Sequence, residues 1–324
     1  MPSYSIKHIT RYSYASTVID CTNQIMLYPV SDQLQEVKKH DLKISYKPTI
    51  ELFTDYFNNQ VGVFSIIRPH TELTIYSTID VITHPVLLPA DDTPANMQWE
   101  NLSFLSEQFP YMDFLKIDTF KCYRDICDAV TQIVNEKQPP FYNAQALSAF
   151  VYNNFEYKKG VTSVETEIDD VWKLKAGVCQ DFAHLLLLML RMINIPARYV
   201  SGYICPKNHE LRGEGATHAW VEAYIPFYGW IGLDPTNNCV VSDRHVRLAI
   251  GRNFGDCTPV KGTYKGSSDH RLEVSVSIEN GLSKIAANNN NVIEMPMVVS
   301  YQSHNPAMPE NSYRRFQEMQ QQQQ

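Results

Sequence analysis

The sequence predicts an α+β protein: an N-terminal antiparallel β domain, then a core in which helices pack on a second antiparallel sheet. Three observations carry this. Residues 1–85 alternate apolar and polar side chains; from about residue 119 the apolar positions fall at helical spacing; from residue 197 the alternation returns. A chain of 324 residues also exceeds what a single core usually supports, so about two domains are expected. The resulting division is a β domain over 1–85, a linker over 86–118, a core over 119–283 and a mobile low-complexity tail over 284–324.

In the first domain Tyr4-Ser5-Ile6-Lys7-His8-Ile9 and the run from Leu73 to Val81 alternate and are rich in β-branched and aromatic residues. Pro29, Pro48, Asn58-Asn59 and Pro69 punctuate the strands. Residues 83–118, around the linker, carry prolines 85, 89, 94 and 110 and little periodicity. Cys122, Ile126, Val130 and Ile133 then form a helical stripe, with Asp118 or Thr119 available as its cap. Ala144, Leu147 and Val151 form a second. A third helix starts near Cys179 and runs to Asn194, apolar nearly all round and therefore buried. Strands follow at Ala197 to Ile204, Thr217 to Ile225 and Gly229 to Asp234, and the strand Leu272 to Ile278 closes the core. The Asn- and Gln-rich tail has no face to bury.

The net charge of −7 is spread without basic runs, which argues against nucleic acid and anionic membrane surfaces as partners. The longest apolar run, Leu185 to Leu190, is too short to span a bilayer, and the first residues lack a signal-peptide core. Seven cysteines with no C-x-x-C pair fit reduced thiols, so a cytoplasmic location is expected. Ten histidines show no H-E-x-x-H pattern, and no phosphate-cradling glycine loop is present; neither metal nor cofactor is expected.

Three motifs carry the chemistry. In A-G-V-C-Q-D-F-A-H (176–184), Cys179 stands at a helix start, where free N–H groups favour a thiolate and could hold an oxyanion. Gly177 permits a sharp turn there. His218 lies on a strand in A-T-H-A-W-V-E-A-Y (216–224), and Asp234 ends the next strand in G-W-I-G-L-D-P-T (229–236). Pro235 cannot donate to a ladder, so Asp234 is expected at a strand end near an opening. If the intervening I-P-F-Y-G makes a hairpin that sets His218 opposite Thr236, Asp234 is its diagonal neighbour on the same face, about 7–8 Å away. A slip of one residue would send the two side chains to opposite faces.

This order of cysteine on a helix and histidine and aspartate on successive strands resembles the transglutaminase-like superfamily, whose core is similar to that of papain-type cysteine proteases. G-V-C-Q-D-F-A-H, R-Y-V-S-G-Y, T-H-A-W-V-E-A-Y and W-I-G-L-D-P-T match its bacterial branch, as does the later G-R-N-F-G-D-C-T-P-V-K-G (251–262). The N-terminal Y-S-I-K-H-I-T-R-Y-S-Y resembles the β domain that precedes the core in that branch, so the likeness covers roughly residues 1–280. The resemblance implies that Cys179 is the nucleophile, His218 the general base and acid and Asp234 its orienter, acting on peptide or side-chain amides through a thioester. Asn58 in F-N-N departs from the usual F-G-N, which bears on a turn; Asn253 stands where aspartate is common.

Around these residues plainer roles compete. Trp220 shares a strand face with His218 and is either core or a groove wall; it is the candidate substrate-binding residue. His184 points to a different helix face from Cys179 and suits a structural hydrogen bond. Asp181 suits the positive end of the helix. Trp172 could offer its indole N–H to an oxyanion, but packing is the stronger expectation. Glu222 is the one carboxylate near the motifs, too few to attract a lysine, so hydrolysis is expected over transamidation. The alternatives are a protein-glutamine transamidase and a binding protein that keeps the fold without catalysis.

Overall fold

The computed structural model describes residues 1–90, 92–163, 166–206, 211–213, 216–266, 270–281 and 295–297. The N-terminal sheet is built around β1 (Ser3–Ile25), with β2 (Gln35–Ile44), β3 (Glu51–Thr54), β4 (Gln60–Ile66) and β5 (His70–Thr83), all antiparallel. The first half of β1 pairs with β5 and its second half with β4 after a register shift between Ser13 and Val18. Tyr4, Ile6, His8 and Thr10 are buried, the period-two face read from the sequence. At the β3–β4 turn Asn58 adopts φ +65°, a conformation glycine takes freely and asparagine tolerates, which accounts for the departure at that position. Asn59 beside it accepts the N–H of Ile250 and donates to its carbonyl, tying the turn to the core.

The linker contains α1 (Ala95–Leu105), which buries Leu102 and Leu105. The core then runs through α2 (Tyr123–Ile133), α3 (Pro140–Asn154), β6 (Glu156–Tyr157), α4 (Ile168–Leu174), β7 (Ala176–Gly177), α5 (Cys179–Met192), β8 (Ala197–Ile204), β9 (Thr217–Ile225), β10 (Gly229–Asp234), β11 (Cys239–Val240) and β12 (His245–Gly251). The last five strands form an antiparallel sheet in the order β11-β10-β9-β8-β12. Leu185 to Leu190 of α5 pack on one face of it with Ala219, Val221, Ala223, Ile231 and Leu233. Tyr203, Cys205, Val246 and Leu248 on this sheet join the hydrophobic cluster of the N-terminal sheet, so the core sheet is covered from both sides.

Four details differ from the sequence expectations. The strand expected to close the core, β14 (His270–Asn280), adds to the N-terminal sheet, pairing with β1 from Tyr4↔Asn280 to Tyr14↔His270; β13 (Val260–Lys265) pairs with the second half of β1. Alternation alone cannot say which sheet edge a strand will join. Helix α2 starts at Tyr123 rather than after Asp118 or Thr119; just before it, the carboxylate of Asp169 in α4 accepts the N–H groups of Lys121 (3.0 Å) and Cys122 (2.7 Å) and ties down the chain that leads into the helix. β12 was not anticipated. Of the expected tail only β15 (Met295–Met297) is described, paired with β14; the rest lies outside the described residues. All seven cysteines are unpaired, and among the described residues no helix is long and apolar enough to cross a membrane.

Candidate active site

Cys179 is the first residue of α5, half-buried, directly after the extended Val178. The turn is held by Asp181, whose Oδ2 accepts the N–H of Val178 (2.7 Å) and the hydroxyl of Thr162 (2.7 Å). Burial pushes the Asp181 carboxyl up, although both hydrogen bonds oppose the shift. A Cβ at Gly177 would sit 2.6 Å from that oxygen. Gly177 is therefore required by the close approach of Asp181 rather than by an unusual backbone angle.

The β9–β10 hairpin has the anticipated register. Gly229 pairs with Ile225 and Leu233 with Val221, the pairing that, continued, sets His218 opposite Thr236. His218 and Asp234 accordingly meet: Nε2 lies 2.8 Å from Asp234 Oδ2, and both side chains are wholly buried. Asp234 does end its strand, but it lies beneath the surface rather than at an opening. Its Oδ2 also accepts from Asn237 Nδ2 (2.7 Å) and His245 Nε2 (3.3 Å), and its Oδ1 from the N–H of Thr236 (2.9 Å).

Burial disfavours the charged form of His218, but the charge and hydrogen bond of Asp234 outweigh it and, with Cys179 close by, push the imidazole up to about 10. Burial would likewise raise Asp234, yet His218 and His245 hold it well below the usual carboxylate range. The result is an ion pair out of contact with water. Because Nε2 donates to Asp234, the Nδ1 of His218 is the nitrogen left over. It is buried without a hydrogen bond of ordinary geometry among the described residues, while the Cys179 thiol is near enough to act on the ring.

His218, Asp234 and His245 converge within 4.8 Å of one another, a spacing that suits a metal ion elsewhere. Here the N–H of Ser242 donates to His245 Nδ1 (3.3 Å), so the neutral ring carries its proton on Nε2.

Trp220 does not line a groove. Its ring is fully buried, in a small cluster with Val200, Val241 and Ile250 and edge-on to His245 (5.2 Å), so it supports the site from below. Trp172 stacks on Phe150 with the Lys175 ammonium over its face, which leaves it in the helical packing. His184 accepts the N–H of Phe254 (3.2 Å), the structural bond expected of it. Glu222 is buried between Arg198 (2.7 Å) and Arg247 (3.1 Å).

Two residues near the pair escaped sequence reasoning. Tyr157 sits on β6 opposite Gly177 of β7, and the charges of Cys179 and Asp234 both bear on its phenol, which burial already raises well above its ordinary value. Its hydroxyl and His218 Nδ1 lie 3.9 and 3.1 Å from where a Cβ on Gly213 would stand, and Gly213 has φ +79°. His245 is the other; the alternation His-Val-Arg-Leu-Ala-Ile of β12 was the available signal.

Comparison with known proteins follows the same lines. The sequence profile of the transglutaminase-like superfamily matches residues 128–235, and that of the bacterial transglutaminase-like N-terminal region matches residues 4–82. An uncharacterised protein of Mycobacterium leprae is 30% identical over 84% of this chain and 97% of its own. One of Mycobacterium tuberculosis is 30% identical over 85% and 92%. A protein-glutamine gamma-glutamyltransferase of Pseudomonas aeruginosa is 34% identical over 106 residues, 31% of this chain and 16% of that one. A solved structure from Cytophaga hutchinsonii, described as a candidate cysteine protease, superposes with a TM-score of 0.69 at 22% identity, over 90% of this chain and 93% of that one; it shows the shared fold.

Proposed function

The chain belongs to the bacterial branch of the transglutaminase-like superfamily, and from that premise we propose that it is a cysteine-dependent amide hydrolase in which Cys179, His218 and Asp234 are nucleophile, general base and acid, and orienter. The observation that carries this reading is the buried 2.8 Å contact of His218 Nε2 with Asp234, which reserves Nδ1 for the thiol. The Cys179 sulfur, its proton already passed to His218 Nδ1 in the charged pair, attacks an amide carbon. The oxyanion is held by N–H groups at the start of α5 and by the Tyr157 phenol. His218 then protonates the leaving amine, giving a thioester, and afterwards takes a proton from water as it attacks; the acid departs, the sulfur leaves as thiolate and His218 is again charged.

Water is the favoured acceptor because the carboxylate expected to draw an amine is already paired. Glu222, the one carboxylate expected near the motifs, is neutralised by Arg198 and Arg247. The local likeness to a glutamyltransferase supports the alternative, transfer to an amine. One acyl donor presented with a labelled primary amine separates the two. Acid should dominate at low millimolar amine; a dominant labelled conjugate would make the protein a transamidase. Cys179→Ala should abolish both products, and Tyr157→Phe should lower both alike, because oxyanion formation precedes the partition. Full turnover by Cys179→Ala would sink the proposal.

A further inference from the structure

His245 opens β12 and lies outside the residues matched to the superfamily core. Its side chain is wholly buried, its ring edge-on to Trp220, its Nδ1 accepting from Ser242 and its Nε2 facing Asp234 Oδ2. That oxygen is the one His218 uses. The charged or titratable groups around His245 are Asp234 from β10, His218 from β9 and the adjacent Arg244. Glu222 and Arg247, paired with each other, and His84 line the small cavity on its other side.

The start of β12 is in turn held by the N-terminal domain. Gln35 accepts the N–H of Arg247 (2.7 Å) and donates to its carbonyl (2.9 Å), the Arg247 guanidinium binds Asp32, and the Thr83 hydroxyl donates to the carbonyl of Asp243 (2.6 Å). The backbone that carries His245 is thus tied to the N-terminal domain.

We propose that His245 is a positioning residue for the Cys179–His218–Asp234 site: its Nε2–H shares Asp234 Oδ2 with His218, fixing the carboxylate and limiting its hold on the His218 proton. This rests on the catalytic reading of those three residues. The physical reason is that each donor to a carboxylate oxygen draws on the same negative charge. With one donor removed, Oδ2 holds the remaining proton more tightly, and an imidazolium held too tightly is a poor acid toward a leaving amine. Burial, which holds His245 below its ordinary value, keeps the ring a neutral donor beside His218 rather than a second cation. It also gives the N-terminal domain a route to the chemistry, through β12.

Imidazole 15N spectroscopy tests this without any substrate. In the wild-type protein His245 should be neutral, with the proton on Nε2; an Nδ1–H tautomer or a charged ring at neutral pH would overturn the proposal even if no variant folded. His245→Phe keeps a ring and removes the donor, and should move the His218 titration upward by on the order of one pH unit, tenfold in proton affinity. His245→Gln, which restores a donor at similar reach, should bring it back. Wild-type titration in a folded His245→Phe variant would reduce His245 to packing. The proposed function fails separately, through Cys179→Ala, and leaves the tautomer and titration results standing.

Discussion

At Asp234 four donors meet one carboxylate: His218, His245 and Asn237 on Oδ2 and the Thr236 N–H on Oδ1. An amide cannot accept from all four, because its NH2 would face donors. Asp234→Asn should therefore cost stability, on the order of 1–3 kcal/mol for a buried group left unsatisfied, besides a rate loss on the order of 10²–10⁴ from the lost orientation of His218. The stability cost should depend on pH. His218 has a folded value raised from 6.5 to about 10, so its share is complete below 6.5 and is lost as pH rises through 10. Asp234 is depressed from 3.8, so its share is present above 3.8 and is lost as pH falls toward its folded value. The gap between wild type and variant in urea denaturation should thus be widest between about pH 4 and 6.5 and should narrow toward pH 10. A gap that widens with rising pH would show that the two residues are not an ion pair.

At the scale of elements, the helix that carries Cys179 and the hairpin that carries His218 and Asp234 were legible in the sequence. Leu185 to Leu190 is too apolar to be anything but buried, and Pro196 stops the helix it belongs to. The hairpin is set by the turn, where Phe227 (φ +66°) and Gly229 (φ +109°) reverse the chain so that every later pair follows. The start of α2 was not legible, because the residues that lead into it are held by Asp169 of α4, 47 residues away in sequence. Asp169→Ala should remove both bonds and destabilise the protein by about 1–2 kcal/mol, read by denaturant midpoint. An unchanged midpoint would mean that water replaces the carboxylate at no cost.

For the whole molecule, the two ends of the described chain meet in one sheet: β1 is the first strand and β14 among the last, and they pair along eleven residues. The N-terminal sheet is thereby completed by strands that follow the core in the chain. Between the two layers lies the network Arg198–Glu222–Arg247–Asp32, buried at Glu222 and Arg247 and reaching solvent at Asp32, which crosses from the core sheet to the N-terminal domain. Glu222→Gln should leave two guanidinium groups short of a partner and cost on the order of 3 kcal/mol in urea denaturation, since a broken buried pair strands its remaining charge. A near-neutral effect would show that this charged network adds nothing to the joining of the two layers.

The sequence by itself determined what is periodic or local: the change from alternation to helical spacing and back, the cysteine at a helix start, the hairpin whose register, once observed, joins His218 to Asp234. Each follows from the geometry of one helix or one hairpin. Only the tertiary structure decided what depends on residues far apart. It placed Trp220 beneath the site instead of beside a substrate, because a strand face carries no label saying which layer will cover it. It gave Glu222 to two arginines, brought Tyr157 beside Gly177, and set His245 against Asp234. Those contacts join different elements, and burial makes them strong: without water, each donor must find an acceptor that the chain brings from elsewhere.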